Sequence, residues 1–216
     1  MNARILVTIL FYFVVGGCTS TDNNQVDATP ILLNDSLFPS FSLFPVEPPE
    51  EIFYLDEDAQ QFAEKAVHEK SILQKNVKGL VKAIFDHSDR GMLYRNSANT
   101  TANTTFNNRA ANCLSLSIMT LALAEHVGLT ATFYEVDIPE YWTRREGFSL
   151  LNGHINLRVS LPNESPVASV GGTWADVDFD PQMLRNYFPR KAVSRDKVIA
   201  MFYNNKGADA LVANSY

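Results

Sequence analysis

Residues 112–127 read Asn-Cys-Leu-Ser-Leu-Ser-Ile-Met-Thr-Leu-Ala-Leu-Ala-Glu-His-Val, and this segment decides the fold. Its apolar side chains surround nearly the whole circumference of a helix, which is typical of a helix at the centre of a domain. Asn112 is a favourable N-cap and Gly128 is a favourable C-terminal stop. The segment therefore predicts a buried central helix with Cys113 in its first turn.

Three segments downstream of this helix have the pattern of β-strands. Residues 130–138 form the first predicted strand. Residues 154–161 and 173–180 alternate, so that each strand has one apolar face and one polar face. Helices followed by a buried helix and then an antiparallel sheet predict an α+β fold.

Further helices are predicted on both sides of this core. Residues 55–70 and 74–85 have apolar side chains at helical spacing, and residues 196–211 form a last helix. Acidic residues 56–58 fall in the first turn of the first helix, where the helix dipole favours negative charge. The polar residues 97–105, rich in Asn and Thr, predict a loop.

The composition excludes several classes of protein. The chain has 216 residues, of which 46% are hydrophobic and 19% are charged, and its formal net charge is −6. This length suits one domain with appendages, and the hydrophobic content excludes a wholly disordered chain. The negative charge argues against a nucleic-acid binder that relies on a global positive field. Two cysteines are too few for a disulfide-stapled scaffold or a four-cysteine metal site.

The N-terminus has the pattern of an export signal. Residues 1–17 place one positive charge, Arg4, before an apolar run of eleven residues, which is too short to span a membrane. The small residues before Cys18 resemble a bacterial lipobox, in which this cysteine is lipidated, while an ordinary signal peptide is the alternative. Because no Asp follows Cys18, the pattern implies an outer-membrane lipoprotein that faces the periplasm.

Residues 18–49 are expected to form an acidic, proline-containing tether between the lipid anchor and the folded domain. Residues 19–60 contain nine acidic residues, no Lys or Arg, and five of the ten prolines. The folded domain is expected to span residues 50–193, and residues 194–216 are expected to carry the C-terminal helix.

Cys113 is the candidate nucleophile. Once the other cysteine is lipidated, Cys113 is the remaining free thiol, and a helix N-terminus stabilises the reactive thiolate. A packed core cysteine is the alternative interpretation. A cysteine nucleophile needs a base, and His154 is the candidate because it starts a strand on the polar face. His68 and His87 are expected at the surface, and His126 lies at the far end of the Cys113 helix.

The carboxylate that would orient His154 is one of three aspartates. Asp176, Asp178 and Asp180 share the polar face of the strand predicted beside His154. If the hairpin is symmetric about its loop, the opposite pairs are Asp180 with His154, Asp178 with Asn156, and Asp176 with Arg158. The last of these pairs is a natural salt bridge, whereas the face alone does not choose between Asp178 and Asp180.

At three places the chain resembles the motifs of the transglutaminase-like superfamily. The segments are Asn112-Cys113-Leu114-Ser115-Leu116-Ser117, Gly153-His154-Ile155-Asn156-Leu157 and Val177-Asp178-Phe179-Asp180-Pro181. The resemblance extends over roughly residues 50–215 and is closest to exported bacterial members that carry a tetratricopeptide segment. It implies a papain-like core, in which a helix bearing the cysteine packs on an antiparallel sheet bearing the histidine and aspartate.

The same resemblance implies a role for each residue. Cys113 is the nucleophile and His154 is the general base and acid. The family spacing favours Asp178 as the orienting carboxylate, with Asp180 second and Asp176 in a structural role.

Residues 203–208 resemble the first helix of a tetratricopeptide repeat. A single helix of this kind cannot bury its own apolar face. The helix is therefore expected either to begin a repeat that recruits a protein partner or to pack back on the domain.

Together these patterns predict an exported thiol acyl-transfer enzyme. Its expected substrate is a peptide or protein amide, which it either hydrolyses or transfers to a second amine as a transglutaminase does. The alternative function is a catalytically silent binding module at the outer membrane. No cofactor is expected, and a metal site on His154 and the three aspartates is the least favoured interpretation because a second nearby histidine is missing.

Overall fold

A computed structural model of the chain describes residues 46–67, 73–89, 93–108, 110–162, 174–180 and 188–213. These residues belong to one unit, Ser40–Tyr216. Helices and strands are both abundant in it, which is consistent with the predicted α+β class. The predicted signal segment, Cys18, His68 and nearly all of the predicted tether lie outside the described residues.

The elements of the described part of the chain follow in this order. The helices are α1 (Pro49–Ile52), α2 (Glu57–Ala66), α3 (Leu73–Asp89), α4 (Ala102–Asn107), α5 (Cys113–His126) and α6 (Arg195–Val212). The strands are β1 (Leu93–Tyr94), β2 (Ala110–Ala111), β3 (Thr130–Arg145), β4 (Phe148–Ser160), β5 (Trp174–Val177) and β6 (Arg190–Val193). Within these residues, β1 and β2 form a short parallel bridge, and the other strands form an antiparallel sheet in the order β5-β4-β3-β6.

Helix α5 is the buried central helix that the sequence predicts. The side-chain oxygen of Asn112 accepts a hydrogen bond from the backbone N–H of Ser115 at 2.8 Å, so the predicted N-cap is confirmed. Every residue from Leu114 to Ala124 is buried. The helix contacts β3 and β4 on one side and α2 and α4 on the other. It therefore holds Cys113 at a fixed place against the sheet.

One row of apolar side chains crosses the sheet beneath α5. In register, Val177 of β5 lies opposite Leu157, Leu157 lies opposite Phe133, and Phe133 lies opposite Val193. Val177 and Leu157 are fully buried. The alternation predicted for β4 is confirmed, because Ile155, Leu157 and Val159 all lie in the core. The polar residues that alternate with them, His154, Asn156 and Ser160, are buried as well.

The hairpin of β3 and β4 is longer than the sequence analysis predicted. The predicted strands ended at residue 138 and began at residue 154, whereas the two strands pair as far as Arg145 and Phe148. The register shifts between Val136 and Tyr141, so several residues of β3 lie opposite one residue of β4. This bulge interrupts the alternation, and the alternation was the signal on which the prediction depended.

Helix α4 corrects the prediction of a loop at residues 97–105. The Thr101 side chain caps the helix by accepting from the backbone N–H of Thr104, and Ala102 and Thr105 are buried. The packing of α4 against α5 stabilises a helix that local propensity does not favour. Tertiary contacts therefore decide the structure of this segment.

The first two long helices differ from their predicted bounds. Helix α2 begins after Asp56, which caps it through Ala59 N–H, and α3 continues to Asp89. His87 was expected at the surface, but its ring is half-buried and stacks on Phe106 at a centroid distance of 4.6 Å. The histidine is part of the packing between α3 and α4, so its expected position was wrong.

Helix α6 packs back on the domain. Val198 and Phe202 are fully buried, and the Asn99 side chain donates to the carbonyl oxygen of Phe202 at 2.9 Å. Tyr203 donates to the Glu47 carbonyl at 2.9 Å, so the described end of the predicted tether also lies on this helix. The sequence left open whether this helix begins a repeat or packs back on the domain, and in the structure it packs back on the domain. Among the described residues, we find no helix whose length and hydropathy would let it cross a membrane.

Candidate active site

Three elements bring the predicted site residues together at the edge of the sheet. Cys113 is the first residue of α5, His154 lies on β4, and Asp178 follows the last residue of β5. The pairing of β4 with β5 has the predicted register, with Arg158 opposite Asp176. Because β5 ends at Val177, Asp178 leaves the ladder and turns toward His154.

The His154 ring is hydrogen-bonded to the Asp178 carboxylate. Nε2 lies 3.0 Å from Oδ1 and 2.9 Å from Oδ2 of Asp178. Both side chains are buried, with 4% and 9% of their surfaces exposed. Since Nε2 donates to the carboxylate, Nδ1 is the ring nitrogen available to the thiol. Asp178 therefore selects both the orientation and the tautomer of the imidazole.

The Asp178 carboxylate has two further donors. The Asn156 side chain donates to Oδ2 at 3.1 Å, and the backbone N–H of Asp180 donates to Oδ1 at 3.0 Å. Asn156 was not identified from the sequence as a site residue. Its position two residues after His154 on the same strand face was the signal that could have found it. These two donors hold the Asp178 carboxylate in place next to Nε2 of His154.

The surroundings of His154 and Asp178 favour the charged forms of both side chains. Burial tends to lower the pKa of His154, but hydrogen bonds and negative charge from Asp178 and Cys113 outweigh it and raise that pKa to about 10. Burial tends to raise the pKa of Asp178, yet the hydrogen bonds from His154 and the Asp180 N–H keep it below its usual range. A protonated imidazole therefore faces an ionised carboxylate at neutral pH.

Cys113 is half-buried, and its side chain contributes to the raised pKa of His154. The backbone N–H of Cys113 is one of the first donors of α5, which have no acceptor within the helix, and the Asn112 cap serves Ser115 instead. The thiol, the imidazole and the carboxylate thus follow one another as a series, in which the imidazole is hydrogen-bonded to the carboxylate and the thiol acts on the pKa of the imidazole. Such a series can generate a thiolate beside an imidazolium.

Asp176 belongs to a charge cluster on the polar face of the sheet, which meets the site where Arg190 donates to Oδ1 of Asn156 at 3.4 Å. Arg158 donates to it from Nε at 2.8 Å and from NH2 at 3.0 Å, and Arg190 also donates at 3.0 Å. The predicted salt bridge between Asp176 and Arg158 is confirmed. Trp174 covers this cluster, with the Arg158 guanidinium 3.8 Å from its ring centroid. Asp176 therefore does not contact His154, whereas Asp180 contributes its backbone N–H to Asp178.

Tyr94 is a site residue that the sequence analysis missed. Desolvation of the phenol, together with the charge and side chain of Cys113, raises its pKa, although 49% of the residue is exposed. The Cys113 backbone and the charge of Asp180 also act on the pKa of the phenol, the first lowering it and the second raising it. No local motif marks this residue, since it lies 19 positions before Cys113 and reaches the site through the bridge between β1 and β2.

A groove adjoins the start of β4. It has a volume of about 610 Å³ and lies between the bulge of β3 and the first residues of β6. Gly153, which precedes His154, lines it together with Leu151, Glu135, Asp137 and Lys191. Cys113, His154 and Asp178 do not line this concave surface, which the sequence could not show, and Gly153 is the residue that connects it to His154 along the chain. Among the described residues, we find no group of three or more His, Cys, Asp and Glu that could hold a metal ion.

No protein-family model, no curated protein and no solved structure matches the chain. The chemistry assigned to the site therefore depends on its own residues, namely a thiol at a helix N-terminus, a buried imidazole and a buried carboxylate.

Proposed function

We propose that the chain is a thiol acyl-transfer enzyme that acts on a peptide or protein amide, with hydrolysis as its default outcome. The observation that carries this proposal is the buried hydrogen bond between His154 and Asp178, together with Cys113 at the first position of a buried helix, where its thiol acts on the pKa of His154. Cys113 is the nucleophile, His154 is the base and then the acid, and Asp178 orients the imidazole. Asp180 and Asp176, the alternative third residues, have other partners in this arrangement.

The reaction follows from these positions. Nδ1 of His154 already holds the thiol proton at neutral pH, so the sulfur of Cys113 attacks as a thiolate, forms a bond to the carbonyl carbon, and moves the π pair of the carbonyl to its oxygen. When the carbonyl re-forms, the C–N bond breaks and His154 gives its proton to the leaving amine. Water then attacks the thioester, His154 takes a water proton, and the carboxylic acid leaves as the thiol is regenerated. A second amine in place of water would give transfer instead.

The proposed fold family is the transglutaminase-like superfamily with its papain-like core. The support for it is a cysteine on the first turn of a buried helix, packed on an antiparallel sheet that brings the histidine and aspartate together. The catalytically silent binding module is the less favoured function. A silent site has no need for a buried imidazole held on its carboxylate and within reach of the sulfur.

The proposed setting is the periplasmic side of a bacterial outer membrane, with a lipid on Cys18. This proposal rests on the sequence pattern of residues 1–20 alone. Metabolic labelling with a radioactive fatty acid tests it, because the wild-type chain should take up label and Cys18→Ser should not. A protein partner for the C-terminal helix would have to bind the face of α6 that the domain leaves exposed.

The nucleophile is tested by alkylation of the full chain with iodoacetamide at pH 6. Only about 0.3% of an ordinary thiol is ionised at this pH, so a thiolate held by imidazolium should react about tenfold or more faster than glutathione. Peptide mapping by mass spectrometry should place the label on Cys113. His154→Ala should bring the rate close to that of glutathione, whereas His126→Ala, at the exposed far end of α5, should leave it unchanged.

Acyl transfer is then tested with p-nitrophenyl acetate in the presence of methylamine. We expect a burst of one nitrophenolate per site, followed by turnover in which acetate exceeds N-methylacetamide. If N-methylacetamide exceeds acetate instead, transfer to the amine is the main reaction and hydrolysis is the minor one. If Cys113 reacts no faster than glutathione and no burst is seen, the proposed enzyme is refuted. The catalytically silent binding module is then the remaining function.

A further inference from the structure

Arg190 lies in the same row of the sheet as His154. It is the first residue of β6 and lies opposite Val136 of β3, which in turn lies opposite His154 of β4. Directly opposite residues of neighbouring strands direct their side chains to one face of a sheet, so these three side chains share a face. The Arg190 side chain therefore reaches across β3 toward the residues that surround Asp178.

The Arg190 guanidinium has several contacts on this face. NH2 donates to both carboxylate oxygens of Asp176 at 3.0 Å, and the guanidinium carbon lies 4.4 Å from the centroid of the Tyr134 ring. NH1 donates to Oδ1 of Asn156 at 3.4 Å. The rigid fork of the arginine thus serves two acceptors through different nitrogen atoms.

Asn156 connects Arg190 with Asp178. Only 9% of this residue is exposed, and its Nδ2 group donates to Oδ2 of Asp178 at 3.1 Å while its Oδ1 accepts from Arg190. An ionised carboxylate only accepts hydrogen bonds and a guanidinium only donates them. If the amide turned by half a turn, its oxygen would face the carboxylate and its NH2 group would face the guanidinium. Arg190 and Asp178 together therefore determine which end of Asn156 faces the site.

We propose that Arg190 is a positioning residue for the reaction, which acts through Asn156 on the Asp178 carboxylate and so on the orientation of His154. This inference rests on the proposed function of Cys113 and His154. Without the guanidinium, the Asn156 amide can turn, and Asp178 loses a donor on the oxygen that also accepts from Nε2 of His154. The imidazole then spends less time in the orientation that takes a proton from water, and the thioester is hydrolysed more slowly.

The test uses two variants of the full chain, Arg190→Met and Arg190→Gln. In both, the side chain ends at about the position of the arginine Nε, too short to reach Asn156, but only the second keeps a polar end. Both should lower the steady-state turnover of p-nitrophenyl acetate about tenfold, which corresponds to one hydrogen bond, while the burst persists. Arg195→Met is the matched control, because Arg195 also pairs with a carboxylate, that of Glu125, and its guanidinium lies 3.9 Å from the ring centroid of Phe53. Turnover should be unchanged in this control.

Two further readouts separate a positioning role from a structural one. In an Asn156→Ala background, Arg190→Met should change turnover by less than about twofold, because the residue through which Arg190 acts is absent. In the wild-type chain, proton NMR should show a low-field signal from the Nε2–H that His154 donates to Asp178. This signal should weaken in Arg190→Met and persist in Arg195→Met.

Three results would overturn the proposal. Wild-type turnover in both Arg190 variants would leave the residue without a role in the reaction, and a loss in Arg190→Met alone would make it a packing residue that needs only a polar end. An equal loss with and without Asn156 would mean that Arg190 does not act through the amide. If the Asn156→Ala chain or one Arg190 variant does not fold, the Nε2–H signal of the other Arg190 variant decides. Failure of the proposed function looks different, because the wild-type chain would then show neither burst nor turnover, while the Nε2–H signal would still report the effect of Arg190.

Discussion

At the scale of single residues, the geometry of the site depends on the hydrogen bonds that the Asp178 carboxylate accepts. Its carboxylate accepts from the His154 ring, from Asn156 and from the Asp180 backbone N–H, while only 9% of the side chain is exposed. A buried carboxylate with three donors remains ionised and cannot rotate. It therefore fixes the imidazole more firmly than an aspartate at an open strand edge would do.

The first prediction concerns the titration of His154. Its pKa of about 10 lies above the ordinary value, so the folded chain should hold one more proton than the unfolded chain between about pH 6.5 and 10. The stability that this proton contributes is fully present below pH 6.5 and is lost as the pH rises toward 10. NMR of the ring carbons should show His154 protonated at pH 8, and Asp178→Asn should lower its pKa. A ring that loses its proton near pH 6.5 in the wild-type chain would contradict this expectation.

The second prediction separates the neighbouring aspartates. Asp176→Asn should cost about 1 kcal/mol of stability, because exposed ion pairs contribute little, and should leave the alkylation rate of Cys113 unchanged. Asp178→Asn should slow alkylation strongly and also cost about 1–3 kcal/mol, because its donors are buried. Urea unfolding and alkylation at pH 6 measure the two effects. If Asp176→Asn slowed the alkylation of Cys113 and Asp178→Asn did not, Asp176 would be the orienting carboxylate and Asp178 would have the structural role.

At the scale of elements, the structure depends on where the helices begin and on how closely they pack against one another. The Asn112 cap determines where α5 begins and so where the Cys113 N–H points. Helix α3 crosses the end of α2 so closely that a β-carbon on Gly79 would lie 2.6 Å from the Ala66 carbonyl oxygen. That distance is below any normal contact, so the glycine is required by packing and not by helix propensity.

The third prediction uses this glycine and a second one as its control. Ala normally stabilises a helix interior by about 1 kcal/mol relative to Gly. Gly207→Ala in α6 should show that gain, because nothing lies within 4 Å of the new β-carbon. Gly79→Ala should instead destabilise the fold by about 1–3 kcal/mol, as overpacking does. Denaturant unfolding of both variants measures the difference, and a gain in Gly79→Ala would refute the close approach of α2 and α3.

At the scale of the whole molecule, α6 completes the core. Phe202 and Val198 are fully buried, the Arg145 side chain of the hairpin pairs with Asp209, and Arg195 pairs with Glu125 at the end of α5. The helix thereby connects the tip of the hairpin with the central helix. A helix fastened on several sides is part of the domain rather than the first unit of a repeat.

The fourth prediction tests this placement. Phe202→Ala should destabilise the domain by about 3–5 kcal/mol, the usual cost of removing a fully buried aromatic side chain. Leu211→Ala in the same helix should change stability by less than about 0.5 kcal/mol, because that side chain is 48% exposed. Thermal unfolding of both variants measures the effect. If both melted at the wild-type temperature, α6 would be an appendage, as a repeat-forming helix would be.

The amino-acid sequence by itself determined the central helix, its Asn112 cap, the alternation of β4 and the pairing of Asp176 with Arg158. All of these follow from local periodicity, capping chemistry and the symmetry of one hairpin. The choice between Asp178 and Asp180 needed more, because both lie on the same strand face, and only the end of β5 at Val177 turns Asp178 toward His154. Tyr94, α4 and the bulge of β3 were decided by the tertiary structure alone. In each of them, contacts between residues distant in sequence outweigh local preference, and no local pattern records such contacts.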